Sequence, residues 1–172
     1  MGKLIFITGG ARSGKSGFAL KLAEKRGRNA AYIATGEPKD SEMKRRISAH
    51  RKSRPKEWIT CEEPLDPASK LLKLDKKTGV AIIDCITLLV SNLVLAGIPE
   101  PKIIYQAEKI AENAGKSGFD VIVVSNELGS GVVPENKLAR DFRDTAGRVN
   151  QLLAKASDKA YLMVSGLPVK LK

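Results

Sequence analysis

The amino-acid sequence predicts a three-layer α/β domain with helices on both faces of a mostly parallel sheet. Short β-rich runs alternate with longer segments of helical periodicity, the pattern left by repeated strand–helix crossovers. The runs are almost continuously apolar, as strands covered on both faces must be, and the first leads straight into a glycine-rich turn and then a helix. A chain of 172 residues, 42% of them hydrophobic, can bury one substantial core, and no repeat, low-complexity tract or linker divides it. Residues 1–172 are therefore expected to form a single domain.

Residues 4–8 read as the first strand, and residues 15–26 as a helix with Phe18, Leu22 and Ala23 on one face, stopped at Gly27 where a left-handed cap is easy. Residues 31–35 form the second strand. Asp40 or Ser41 then caps a helix that brings Met43, Ile47 and His50 onto one face at i, i+4 and i+7. No element is assigned from there to Val80. Residues 80–85 and 120–125 are further strands, separated by a segment at 87–95 and by a helix over 101–116 with Ile104, Ala107, Ala111 and Ala114 inward. A long helix over 135–156 turns Leu138, Phe142, Val149 and Leu152 or Leu153 inward, and strands at 160–165 and 169–172 close the chain.

Thirty Lys and Arg against 19 Asp and Glu leave a net charge of +11, which admits nucleic acid, an anionic membrane surface or phosphorylated small molecules as partners. Aromatic residues make up only 5%, Trp58 alone lies near the most basic run, and no groove-reading motif is present, so nucleic acid is set aside. Cys61 and Cys85 have no C-x-x-C spacing and give neither a disulfide framework nor a zinc site. No signal-peptide core and no transmembrane-length apolar run is present. A cytoplasmic protein without stable membrane insertion is expected.

The sharpest motif is Gly9-Gly10-Ala11-Arg12-Ser13-Gly14-Lys15-Ser16, a G-x-x-x-x-G-K-S phosphate loop (P-loop) between the first strand and the first helix. Its glycines allow the tight path, its N–H groups and the helix N-terminus face phosphates, Lys15 reaches the β and γ oxygens, and Ser16 ligates Mg²⁺. Ala81-Ile82-Ile83-Asp84 is a hydrophobic strand ending in a carboxylate, so Asp84 reads either as the metal-side group or as a cap for the segment that follows.

His50, the only histidine, stands in a run from Lys44 to Lys56 with seven basic residues and no acidic one. Such a run is ordinarily a solvated helix face; beside a phosphate loop it can also hold a triphosphate, and a neutral imidazole is a competent nucleophile toward phosphorus. A second polar block, Ser125-Asn126-Glu127 through Asn136 and then Arg140, Arg143, Asp144, Gly147, Arg148, Asn150 and Gln151, begins at the carboxyl end of a strand, where open α/β sheets bind ligands. It reads equally as a glycine loop capped into an amphipathic helix.

Together these blocks resemble the bifunctional adenosylcobinamide kinase/adenosylcobinamide-phosphate guanylyltransferases of cobalamin biosynthesis. The likeness runs from Thr8–Ser16 through Tyr32-Ile33-Ala34-Thr35, Arg46-Ile47, His50, Arg54-Pro55 and Trp58 to Asn126–Asn136, Arg140–Asp144, Gly147–Gln151 and Val164-Ser165-Gly166. The resemblance implies a P-loop NTPase of RecA-like fold assembled as a homotrimer. It implies that ATP or GTP, with Mg²⁺, phosphorylates the aminopropanol hydroxyl of adenosylcobinamide. It further implies that His50 takes GMP from GTP and passes it on to give adenosyl-GDP-cobinamide. By the same resemblance the nucleotide contacts fall on Gly9 to Ser16, on Ala34, Thr35 and Gly36, on Arg51, Lys52, Ser53 and Arg54, and on Glu62 and Asp84. Ala49 stands where some relatives carry a second histidine.

Overall fold

Every apolar run named above is a strand of one seven-stranded sheet in the computed structural model, which describes residues 2–27, 29–52 and 54–172. The strands are β1 (Leu4–Gly9), β2 (Ala30–Ala34), β3 (Ile59–Glu62), β4 (Val80–Asp84), β5 (Asp120–Val124), β6 (Lys159–Val164) and β7 (Leu167–Lys170), in the order β3-β2-β4-β5-β1-β6-β7. All neighbours pair in parallel except β6 and β7. That last hairpin turns through Ser165 and Gly166 at φ 50° and 86°, the two positive values that suit a two-residue loop to the strand twist.

Side chains alternate across the pleat and build a separate core on each face. On one face Leu4, Phe6, Ile83, Val121 and Val123 pack against α3 (Pro67–Leu72), α4 (Ile86–Leu95), α5 (Glu100–Lys116) and α6 (Lys137–Ala156). On the other, Ile5, Ile7, Ile82 and Ile122 pack against Ala19 and Ala23 of α1 (Lys15–Glu24) and against Trp58. These are the three layers expected. The central strands β1, β4 and β5 are buried on both sides, which is why their runs read as continuous rather than alternating.

The structure departs from the sequence reading in several places. β3 and α3 were not foreseen. The edge strand Ile59-Thr60-Cys61-Glu62 has no buried residue and no apolar run, and α3, opened by an Asp66 cap with Pro67 behind it, is too short for a helical period to register. In α5 the buried face is Ile103, Ala107, Ile110 and Ala114, so Ile104 and Ala111 lie on its flank. In α6 Leu138 is exposed, because the helix begins beyond the sheet; Phe142 is the first of its predicted inward residues to pack against the core, and its fully buried residues begin at Thr145. α1 ends at Glu24, with Lys25 rather than Gly27 at its cap.

The helix α2 (Ser41–Lys52) belongs to neither core and buries none of its residues. Asp40 opens it, accepting the Met43 N–H at 2.7 Å. No helix among the described residues is long and apolar enough to cross a membrane.

Candidate active site

The loops leaving the carboxyl ends of β1, β2, β4 and β5 enclose a cleft of about 490 Å³. Its floor is the phosphate loop. Gly9 ends β1 at φ 150°, and a Cβ there would meet the Met163 carbonyl at 2.5 Å. Gly14 precedes α1 at φ 92° and leaves the helix N-terminus without a side-chain cap, so its N–H groups face the cleft unmasked by the chain's own hydroxyls. Ala11, Arg12, Ser13, Gly14, Lys15 and Ser16 line the cleft; Gly9 and Gly10 shape it from behind.

Lys15 is buried, and its Nζ donates to the Gly10 carbonyl at 2.6 Å. Burial holds its pKa below the ordinary lysine value, with Cys85 and Asp84 pulling the other way. Asp84 stands at the end of β4 with its carboxylate in the cleft; the helix after it is capped at Cys85, so the cap reading of Asp84 does not hold. The Asp84 carboxylate accepts the Tyr32 hydroxyl at 2.5 Å, and the Arg54 guanidinium lies over the Tyr32 ring at 3.5 Å from its centroid. Burial, then the Asp84 charge, push the Tyr32 hydroxyl far from ionisation. The same two causes, in that order, raise the Cys85 thiol to about 12, so this cleft-lining sulfur is a thiol at neutral pH.

The opposite wall is α2. Met43, Ile47 and His50 line the cleft together, as their spacing requires, and Ile47 packs beside Gly36 and Leu88, where a Cβ on Gly36 would stand 3.2 Å from the Leu88 side chain. His50 is exposed on this wall, and Arg51 pairs with Glu62 across the cleft rim at 4.0 Å. Of the seven basic residues in the run only Arg46, Arg51 and Arg54 line the cleft, because a helical repeat turns its neighbours outward.

Ala34, Gly36, Glu62 and Asp84 are thus brought to the same cavity as the phosphate loop and His50. Thr35 is not. It is fully buried, and its hydroxyl donates to the Cys85 carbonyl at 2.7 Å and accepts the Cys85 N–H at 2.8 Å, tying the end of β2 to the start of α4. Lys52 is exposed away from the lining, and Ser53 lies outside the described residues. Sequence reasoning gave no site role to Tyr32, Cys85 or Leu88, which line the cleft together with Asn126, the residue of the second polar block that the structure brings to it. For Tyr32 a signal existed, its period-two relation to Ala34 on the same strand face.

Among the hard oxygen donors that line the cleft are the Ser16 hydroxyl, next to Lys15, and the Asp84 carboxylate. Such a pair suits Mg²⁺, which keeps several waters and takes its other ligands from substrate phosphates.

Residues 5–171 match the family described as CobU, cobinamide kinase / cobinamide phosphate guanyltransferase. The chain belongs to this family. It is 42% identical over 166 residues to the bifunctional adenosylcobalamin biosynthesis protein CobP of Pseudomonas aeruginosa, covering 96% of this chain and 95% of that one. It is also 42% identical over 184 residues to the bifunctional adenosylcobalamin biosynthesis protein CobU of Escherichia coli, covering 98% and 99%. Membership makes the chain an enzyme of cobalamin biosynthesis with the family's two activities, cobinamide kinase and cobinamide phosphate guanylyltransferase. Among solved structures it resembles a KaiC-like protein of Pyrococcus horikoshii (TM-score 0.56, 16% identity, 93% of this chain and 70% of that one). It resembles the RadB recombinase similarly (TM-score 0.52, 18% identity, 93% and 73%). These likenesses carry the RecA-like fold and nothing about substrate.

Proposed function

We propose that both family reactions run in this one cleft, on a single domain spanning residues 1–172, with His50 as the guanylyl carrier. In the first, the aminopropanol hydroxyl of adenosylcobinamide attacks the γ-phosphorus of ATP or GTP, the bond to the β-phosphate oxygen breaks, and the nucleoside diphosphate leaves. In the second, a ring nitrogen of His50 attacks the α-phosphorus of GTP and pyrophosphate leaves. The phosphate of adenosylcobinamide phosphate then displaces the histidine and carries off GMP. The observation that carries this reading is that the one histidine of the chain lines the same cavity as the phosphate loop, with three arginines around it.

Direct transfer would bring two anions together; a histidine intermediate divides it into two displacements, each with its own charge compensation. Lys15 supports both by standing at the phosphate-loop end, and Arg46, Arg51 and Arg54 supply positive charge along the α2 wall. Ser16 and Asp84 are the residues that would hold Mg²⁺, which when bound neutralises phosphate charge as the leaving group departs. The resemblance further supports a cytoplasmic homotrimer.

The test is to mix the purified protein with Mg²⁺ and GTP and weigh it intact. A single GMP is expected on the wild type and none on His50→Ala, which keeps measurable phosphorylation of cobinamide, whereas Lys15→Ala loses both. Uptake of GMP by His50→Ala would remove His50 from the mechanism.

A further inference from the structure

The phosphate loop carries an arginine where its backbone would favour glycine. Residues 10–13 form a turn closed by the Ser13 N–H, which donates to the Gly10 carbonyl at 3.3 Å, and Arg12, the third of the four, has φ 56°. A positive φ at that position suits glycine, because a side chain there crowds the backbone. Ser165, in the β6–β7 hairpin turn, is the one other non-glycine residue with a positive φ among those described. The loop is also pinned from outside, the Ser13 carbonyl accepting the Gly166 N–H at 3.1 Å and Gly14 lying so close that its Cβ would stand 3.2 Å from the Gly166 Cα. An arginine kept in so strained and fixed a place points to a use for its side chain.

Arg12 is exposed and lines the cleft, and among the described residues its guanidinium has neither a hydrogen bond nor an ion pair. The other lysine and arginines of the lining are engaged. Lys15 donates to the Gly10 carbonyl at 2.6 Å, Arg46 faces Glu42 at 3.8 Å, Arg51 faces Glu62 at 4.0 Å, and Arg54 lies over the Tyr32 ring. The loop's N–H groups and Lys15 suffice for the ordinary hold on a nucleotide. An exposed guanidinium suits instead a phosphate whose other substituent is too bulky to enter the cleft, and its planar fork can take two phosphate oxygens at once.

The identity of that phosphate follows from the two displacements of guanylyl transfer, in each of which the entering and leaving atoms lie in line through phosphorus. In the first, His50 attacks from the α2 wall, so pyrophosphate leaves on the side away from it, toward the phosphate loop. In the second, the histidine is the leaving group, so the attacking oxygen must enter from the side that pyrophosphate has vacated. We propose that Arg12 binds the phosphate of adenosylcobinamide phosphate there, the phosphate loop holding pyrophosphate and then the acceptor in turn. An acceptor oxygen, ionised at neutral pH, forms the new O–P bond. The N–P bond to His50 breaks with its electron pair returning to the ring, which recovers from water the proton it released on forming the adduct. The inference rests on the reading of His50 as guanylyl carrier and adds the residue that receives the second substrate.

The experiment measures, by equilibrium dialysis, the binding of adenosylcobinamide phosphate and of unphosphorylated adenosylcobinamide to wild type, Arg12→Gly and Arg12→Lys. Glycine suits φ 56°, so Arg12→Gly keeps the path of the loop while removing the guanidinium. Loss of one charge-assisted, forked contact is expected to raise the Kd for adenosylcobinamide phosphate about 10–100-fold and to leave that for adenosylcobinamide unchanged. Arg12→Lys, which keeps the charge without the fork, should fall between. Pyrophosphate should displace adenosylcobinamide phosphate from the wild type. With the isolated GMP adduct, the concentration of adenosylcobinamide phosphate needed for half-maximal discharge should rise in Arg12→Gly by the same factor as the Kd. An unchanged Kd, equal weakening of both corrinoids as from a misshapen loop, or no displacement by pyrophosphate would each overturn the assignment. Wild type that forms no GMP adduct would instead overturn the reading of His50.

Discussion

Tyr32 sits on β2 and Thr35 directly follows it, yet they serve the site differently. Tyr32 is in the cleft, its hydroxyl on Asp84 and its ring under Arg54. Thr35 lies behind, with both hydrogen-bonding capacities of its hydroxyl spent on the Cys85 backbone. Replacing Thr35 by Val keeps the shape but removes both bonds and leaves the buried Cys85 N–H without that partner. A stability loss of about 1–3 kcal/mol is expected, read as a lower urea midpoint. An unchanged midpoint with weakened nucleotide binding would restore Thr35 to the contact role that family resemblance suggests. Residue identity alone could not make this distinction, because a threonine after a strand looks the same whether it faces ligand or backbone.

Among the elements, α2 is the one whose sequence was easiest to read and whose surroundings were not. Its i, i+4, i+7 face and its Asp40 start were legible, being properties of one helix. That only three of seven basic residues reach the cleft depends on how the helix lies over the strand ends. β3 and α3 escaped for the opposite reason: a short, half-exposed edge strand and a six-residue helix carry too little periodicity to stand out, and tertiary pairing stabilises them. Because α2 buries no residue, its stability is local. Asp40→Ala should cost this helix about 1 kcal/mol, seen as roughly fivefold faster amide exchange within α2 while the global urea midpoint stays in place. A matching fall in the midpoint would mean that α2 unfolds with the sheet.

For the whole molecule, one ion pair reports on how the layers are tied together. Asp120, opening β5, accepts Arg26 from beyond α1 at 2.6 Å and the Lys3 N–H from before β1 at 2.9 Å. Burial works to raise its pKa, but the Arg26 and Lys3 bonds and their charge prevail and hold it below the ordinary carboxylate value. A depressed folded pKa means stability that is present above the unfolded value of about 3.9 and is lost as pH falls through the folded one. The wild-type urea midpoint should therefore drop between about pH 5 and about pH 3, and Asp120→Asn should remove part of that slope. Identical slopes would show that Asp120 does not couple to folding.

At this scale the division between sequence and structure is physical. The sequence by itself determined the phosphate loop, the buried central strands, the α2 face with His50 and the family, because each depends on residues close together in the chain or on a pattern of local period. The tertiary structure alone decided that β5 separates β4 from β1, and so that Asn126 stands between Asp84 and the phosphate loop. It also decided that the Tyr32 hydroxyl bonds Asp84 and that the Thr35 hydroxyl bonds the Cys85 backbone. These contacts join residues dozens of positions apart, and they follow from which strand lies beside which, an arrangement set by the burial of both sheet faces at once.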